Sequence, residues 1–158
     1  MSLLAFFQWC YATPVGETIR DSAWLFPVIE AFHLLGLGVV AGSVLLVDLR
    51  LLGVGLSRQP VAQLSANTQP WLLGSLILMV TSGSLLFLSE AIKCYHSFPF
   101  WVKMTSLFLV LLFTFTVYRR VARAAPTSDP PLPGRVAALI SLGLWFGVAW
   151  GGRWIGFS

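Results

Sequence analysis

The chain has 158 residues, of which 57% are hydrophobic and 10% are charged, and its mean hydropathy is +0.82. An ordinary soluble domain carries about 25% charged residues, so this composition excludes a soluble domain and indicates an integral membrane protein. The net charge of +4 comes mainly from arginines in the connections between apolar segments, where they set orientation in a bilayer, and we therefore expect no binding to nucleic acid.

The first apolar segment is short. Residues 3–12 are too few to cross a hydrocarbon layer, which takes about 20 residues of helix, and they are predicted to form a helix lying in the membrane interface. Thr13, Pro14 and Gly16 are expected to break this helix. Ser22 is a suitable N-cap for the first membrane span.

Four longer apolar segments follow, and each is predicted to be a membrane-spanning helix. Their approximate bounds are 23–47, 71–89, 99–118 and 136–157. Polar connections separate them, and the third connection is rich in arginine and proline. The expected fold is an all-α integral membrane protein, a four-transmembrane-helix bundle that forms a single membrane domain over residues 1–158.

Basic residues set the expected orientation of the bundle. The first and third connections contain six basic residues, which are Arg50, Arg58, Arg119, Arg120, Arg123 and Arg135. The opposite face contains four, which are Arg20, Lys93, Lys103 and Arg153. Because Lys and Arg concentrate in cytoplasmic loops, both termini are predicted to lie outside.

The first span contains two ionisable residues, Glu30 and His33, three positions apart. Such groups are costly in hydrocarbon, from about 2.5 kcal/mol for an Asp, Lys or Arg at mid-helix, and they need a structural or chemical reason. His33 could be a structural hydrogen-bonding group, a proton relay, or a ligand to a metal or to haem iron. Glu30 would then fix its tautomer or handle protons. A di-iron site is not expected, because spans two to four contain no Asp or Glu.

A b-type haem requires an axial nitrogen, small residues beside the ring, aromatic walls, and cations for its propionates. His33 could supply the nitrogen, Gly36 one turn later a small surface, and Trp101 a wall. Lys103 and Arg153, near the outer ends of their spans, could hold the propionates, although each could instead extend to lipid headgroups.

The sequence does not determine which residue would be the second axial ligand. Met79 lies at a depth similar to that of His33, and His96 lies in the outer turn, but core packing and solvation are alternative roles for them. Gly143, Gly147 and Gly151 are spaced by four residues and are predicted to form a helix-packing seam, which could also join two copies of the chain in the bilayer.

Several segments resemble known families. The segments TPVGETIRDSAWLFP, IEAFHLLGLGVVAGSVLLVDLRLLG and GRWIGF are similar to an uncharacterised bacterial family of four-helix inner-membrane proteins. More distantly, a histidine early in the first span, a helix ending in Leu-Arg, and FWVKM at the start of the third span resemble the copper-resistance D-type proteins and the membrane-bound, haem-binding protoporphyrinogen oxidase family. The latter resemblance implies that His33 and Lys103 bind haem or porphyrin.

The leading hypothesis is therefore a b-type haem- or porphyrin-binding protein of the bacterial inner membrane with a redox or electron-transfer role. The alternatives are a small transporter or copper-type ion-handling protein, and a structural accessory subunit of a membrane complex. Whether the protein turns over a substrate stays open at this point.

Overall fold

The computed structural model describes residues 2–54, 59–124 and 132–157. These residues form helices and contain no strand, which confirms the all-α prediction. The α-helices are α1 (Leu3–Tyr11), α2 (Pro14–Asp21), α3 (Leu25–Leu52), α4 (Val61–His96), α5 (Phe98–Phe113), α6 (Arg119–Ala124) and α7 (Leu132–Ile155), with a π-helical turn at Thr114–Tyr118.

Four helical segments among the described residues are long and apolar enough to cross a membrane. They are Leu25–Leu52, Val61–His96, Phe98–Val121 and Leu132–Ile155. The third segment joins α5, the π-helical turn and the start of α6. The prediction of four spanning helices is therefore confirmed.

The second of these helices is longer than predicted. It has 36 residues and begins at Val61, inside the expected connection, and it continues to His96. Pro70 lies within it, and Glu90 interrupts it with φ −123° and ψ 25°. At about 1.5 Å per residue, the part of α4 before this break, residues 61–89, is roughly 44 Å long and exceeds a hydrocarbon core of about 30 Å, so α4 is longer than one crossing requires.

The residues that were expected only to break the N-terminal helix in fact start a second helix. Thr13 caps α2 through its side-chain oxygen, which accepts a hydrogen bond from the Gly16 N–H at 3.3 Å, and Pro14 is in the first turn. Proline is favourable there because its missing N–H would have no helical partner.

Arg20 holds these N-terminal helices against α4. Its guanidinium donates to the backbone carbonyls of Leu88 and Ser89, at 3.4 and 3.3 Å, and to that of Tyr11 at 2.9 Å. It also lies 3.7 Å from the centre of the Tyr11 ring. The carbonyls of Leu88 and Ser89 immediately precede the break at Glu90.

The long helices pack in the pairs α3–α4, α3–α7 and α5–α7. A Cβ built on Gly151 would lie 2.7 Å from the Pro99 carbonyl oxygen, and one built on Gly147 would lie 2.5 Å from Ser106 Oγ. These two glycines thus let α7 approach α5 within one chain, whereas Gly143 has open space around it. Two of the three glycines in the predicted seam, Gly147 and Gly151, therefore pack α7 against α5 inside the bundle.

Candidate functional site

A cavity of about 790 Å³ lies between α4 and α5, and His33 of α3 reaches it. Its size falls within the range of about 300–1,000 Å³ that is typical of ligand and cofactor sites. The wall is mostly apolar and aromatic, and it includes His33, Met79, Gly83, Ser84, Phe87, Phe100, Trp101, Lys103, Met104 and Trp145. Phe6 and Phe7 of α1 also contribute to it.

His33 is fixed in this wall by α4. The residue is only 9% exposed, and its Nδ1 lies 2.9 Å from Ser82 Oγ. The backbone carbonyl of Met79 is a second hydrogen-bond partner of the ring.

The hydrogen bonds of Ser82 define the tautomer of His33. The Ser82 hydroxyl donates its hydrogen to the Leu78 carbonyl at 2.6 Å, one helical turn earlier. Its oxygen is then available to accept a hydrogen bond, which favours the tautomer of His33 that is protonated at Nδ1. A neutral imidazole protonated at Nδ1 keeps a lone pair at Nε2, which is the usual arrangement for a histidine that ligates a metal.

Gly83 makes room for the imidazole. A Cβ built on Gly83 would lie 3.1 Å from His33 Cε1 and 3.6 Å from Nδ1. A larger residue would push against the ring and move it from its hydrogen bonds. The adjacent residues Ser82 and Gly83 thus set both the protonation and the position of His33.

Lys103 is the basic side chain of the cavity wall. It is half-buried, and its stem passes along two glycines of α7. A Cβ built on Gly151 would lie 2.9 Å from Lys103 Cβ, and one built on Gly152 would lie 3.7 Å from Lys103 Nζ. The glycines therefore provide the space in which a lysine can lie between two apolar helices.

Two other predicted site residues, Met79 and Trp101, also line the cavity. Met79 is nearly buried and packs in a core cluster with Val40 and Leu76. Trp101 donates its indole N–H to the Tyr95 carbonyl at 3.1 Å, which fixes the ring at the edge of the cavity. The structure thus brings these two residues together with His33 and Lys103.

Three predicted site residues lie elsewhere. Glu30 is exposed and outside the cavity wall, and the expectation that it fixes the His33 tautomer is wrong because Ser82 occupies Nδ1. Arg153 is exposed, with its guanidinium 4.6 Å from the centre of the Phe157 ring. His96 is exposed beside Tyr95, beyond the cavity.

Gly36 has a different role from the one expected. A Cβ built there would lie 3.0 Å from Met79 Cγ and 3.5 Å from the Ser75 carbonyl oxygen. Gly36 therefore lets α3 approach α4, and it does not offer a surface to a ligand in the cavity. It helps the site indirectly, since this close approach brings His33 to Ser82.

The sequence signal for the partner of His33 was the run Thr81-Ser82-Gly83-Ser84, four small residues inside an apolar span. Helical periodicity alone does not identify which of these faces α3. Among the described residues, no three His, Cys, Asp or Glu side chains come together as a metal site.

These features define a helical protein of the multi-pass membrane class, with a largely apolar cavity beside a buried histidine. A family model described as "Family of unknown function (DUF6644)" matches residues 6–158, and the chain belongs to this family. Neither the curated proteins nor the solved structures include a significant match.

Proposed function

We propose that the protein binds haem b or a related porphyrin in the cavity between α4 and α5, and that it has a redox role in the bacterial inner membrane. The observation that carries this proposal is the buried His33, held through Nδ1 by Ser82, in the wall of a cavity of about 790 Å³. When bound, haem supplies one-electron chemistry, and the protein supplies ligation, orientation and a dry environment.

The donor set fits a macrocycle better than a bare metal ion. His33 offers one nitrogen, and the described residues do not gather further His, Cys, Asp or Glu side chains around it. A porphyrin brings four nitrogens of its own and needs only axial ligands from the protein. The copper-handling alternative would have to rely on His33 and the thioethers of Met79 and Met104, which line the same cavity.

Lys103 would hold a carboxylate of the bound molecule. It belongs to the same cavity wall as His33, on the opposite helix α5. A partly desolvated ammonium group is stabilised by a carboxylate, and haem carries two propionates. Phe87, Phe100 and Trp145 would contact the apolar faces of the ring.

A thioether is available for a second axial position. Met79 lies on α4 beside His33, and Met104 lies on α5 next to Lys103. Met104 belongs to the wall facing the one formed by α4, so it is the better candidate for a ligand that approaches from the other face of a ring. His/Met ligation is a known arrangement in electron-transfer haem proteins.

The distant resemblance to the haem-binding protoporphyrinogen oxidase family supports this proposal through the same two residues, His33 and Lys103. The excess of basic residues in the first and third connections supports an orientation with both termini in the periplasm. With that orientation, the cavity lies in the outer half of the membrane.

Absorption spectroscopy tests the proposal. The purified full chain should show a Soret band, or acquire one with saturable stoichiometry when haem is added. His33→Ala should abolish the saturable band, whereas His96→Ala, which removes an exposed histidine outside the cavity, should keep it. Equal haem binding by the wild type and His33→Ala, or none by the folded wild type, would refute the proposal.

A further inference from the structure

A second ionisable group lies deep in the bundle, far from the His33 cavity along α3. Asp48 is completely buried, with 0% exposure, and it is four residues before the end of α3 at Leu52. At about 1.5 Å per residue this places it roughly 6 Å from the helix end. The proposed haem site makes no use of this carboxyl group.

The two oxygens of Asp48 have unequal surroundings. Tyr118 donates its hydroxyl hydrogen to Oδ1 at 2.6 Å, and the Ser141 hydroxyl also interacts with the carboxyl group. Oδ2 is buried and has no hydrogen-bond partner. A charged carboxylate in such a place would be costly, because burial removes water and one oxygen is left without a donor.

No cation among the described residues forms an ion pair with the Asp48 carboxyl group. Arg50 directs its Nε–H to the Gln59 carbonyl at 2.8 Å, and Arg135 of α7 is exposed. Arg119 lies on the wall of a small neighbouring cavity. Asp48 makes no ion pair with a residue in the described part of the chain, so a bound proton is the simplest way to remove its charge.

The small cavity offers a route for such a proton. Its volume is about 50 Å³, and Tyr118 and Ser141, the two partners of Asp48, belong to its wall together with Ser43, Ser65 and Thr68. A buried water needs roughly 10–15 Å³ of such volume and two to four polar partners, so this cavity can hold water molecules. Water there could exchange hydrogens with the hydroxyl groups of Tyr118 and Ser141, the two partners of Asp48.

We propose that Asp48 is a proton-binding site, whose carboxyl carries a proton on Oδ2 and exchanges it, by way of Tyr118 and Ser141 at the small cavity, with water on the membrane face where α3 ends. The bound ligand is a proton and not a metal cation. This inference is independent of haem binding at His33.

Labelling with dicyclohexylcarbodiimide, an apolar reagent that adds to protonated carboxyl groups in membranes, tests the proposal. The full chain in detergent should gain one reagent at Asp48 at pH 6, and the labelling should fall several-fold at pH 9. Asp48→Asn should abolish it, and Glu30→Gln, which removes an exposed carboxylate of the same helix, should not. Labelling of Asp48 that does not change with pH would overturn the proposal.

Two further measurements separate the alternatives. Protection of Asp48 by Na⁺ but not by choline at constant pH would identify a cation site and contradict a proton site. Infrared difference spectra of the wild type and Asp48→Asn should contain the carbonyl band of a protonated carboxylic acid, shifted in D₂O. Absence of that band in folded protein at pH 6 would also overturn the proposal, whatever the access of the reagent.

Discussion

Replacing Ser82 by alanine tests how α4 prepares His33 for ligation. The substitution removes the acceptor that lies 2.9 Å from Nδ1. Loss of an outer-shell partner of a ligating histidine typically lowers affinity by about 10–100-fold. Because the Met79 carbonyl remains as a second acceptor for the ring, we expect the lower end of this range, about tenfold or 1.4 kcal/mol.

Haem titration followed at the Soret band measures this effect. Ser84→Ala is the matched control, because Ser84 also lines the cavity and donates to a carbonyl one turn earlier, that of Val80 at 2.8 Å. Ser84→Ala should change haem affinity by less than a factor of about two to three, since surface substitutions away from special contacts are usually worth within about 0.5 kcal/mol. Equal affinities of the two variants would refute the reasoning about the tautomer.

Three other predictions concern the cavity wall and the packing around it. Lys103→Met should weaken haem binding about tenfold in a titration. The same variant should bind haem dimethyl ester as tightly as the wild type does, because the ester has no carboxylates. An equal loss of affinity for both ligands would contradict the role of the charge. Gly151→Ala should lower the free energy of unfolding by about 1–3 kcal/mol, because the new Cβ would meet the Pro99 carbonyl. The control Gly143→Ala, where the space is open, should be neutral or stabilising. Equal thermal midpoints of the two variants would contradict this packing. Arg20→Gln removes three hydrogen bonds to backbone carbonyls, so it should loosen α1 and α2 from α4 and increase hydrogen exchange in residues 3–21. The control Arg153→Gln should leave that exchange unchanged.

Much of the fold could be predicted from composition and apolar segments. The four spans follow from runs of apolar residues longer than a hydrocarbon core requires, which is a strong and local signal. The limits of α4 could not be obtained in this way, because hydropathy marks the apolar layer and not the end of the helix. The residues of 61–69 are polar but compatible with a helix, and they continue α4 beyond the predicted span.

The site was only partly predictable. His33 and Lys103 are unusual in an apolar span, and their residue types alone marked them. Glu30 was wrongly paired with His33, because sharing a helix face does not determine which neighbour a side chain meets in the folded bundle. Ser82 is the actual partner, and that contact depends on how α3 and α4 are rotated against each other, which Gly36 makes possible through close approach.

Asp48 illustrates the same limit. A position near the end of an apolar span, two residues before Arg50, is typical of a charge at the headgroup layer. The structure instead buries Asp48 against Tyr118 and Ser141. Both partners come from helices that are distant in the sequence. Long-range packing therefore determines whether a charge near the end of a span faces water or the core.

The most direct measurement of the central claim is chemical rescue of the axial ligand. The His33→Gly variant removes the imidazole and leaves space beside Ser82 and Gly83. We predict that this variant lacks the saturable Soret band of haem-loaded wild type and that free imidazole restores it. A band that persists without imidazole, or a folded variant that imidazole does not rescue, would contradict ligation by His33.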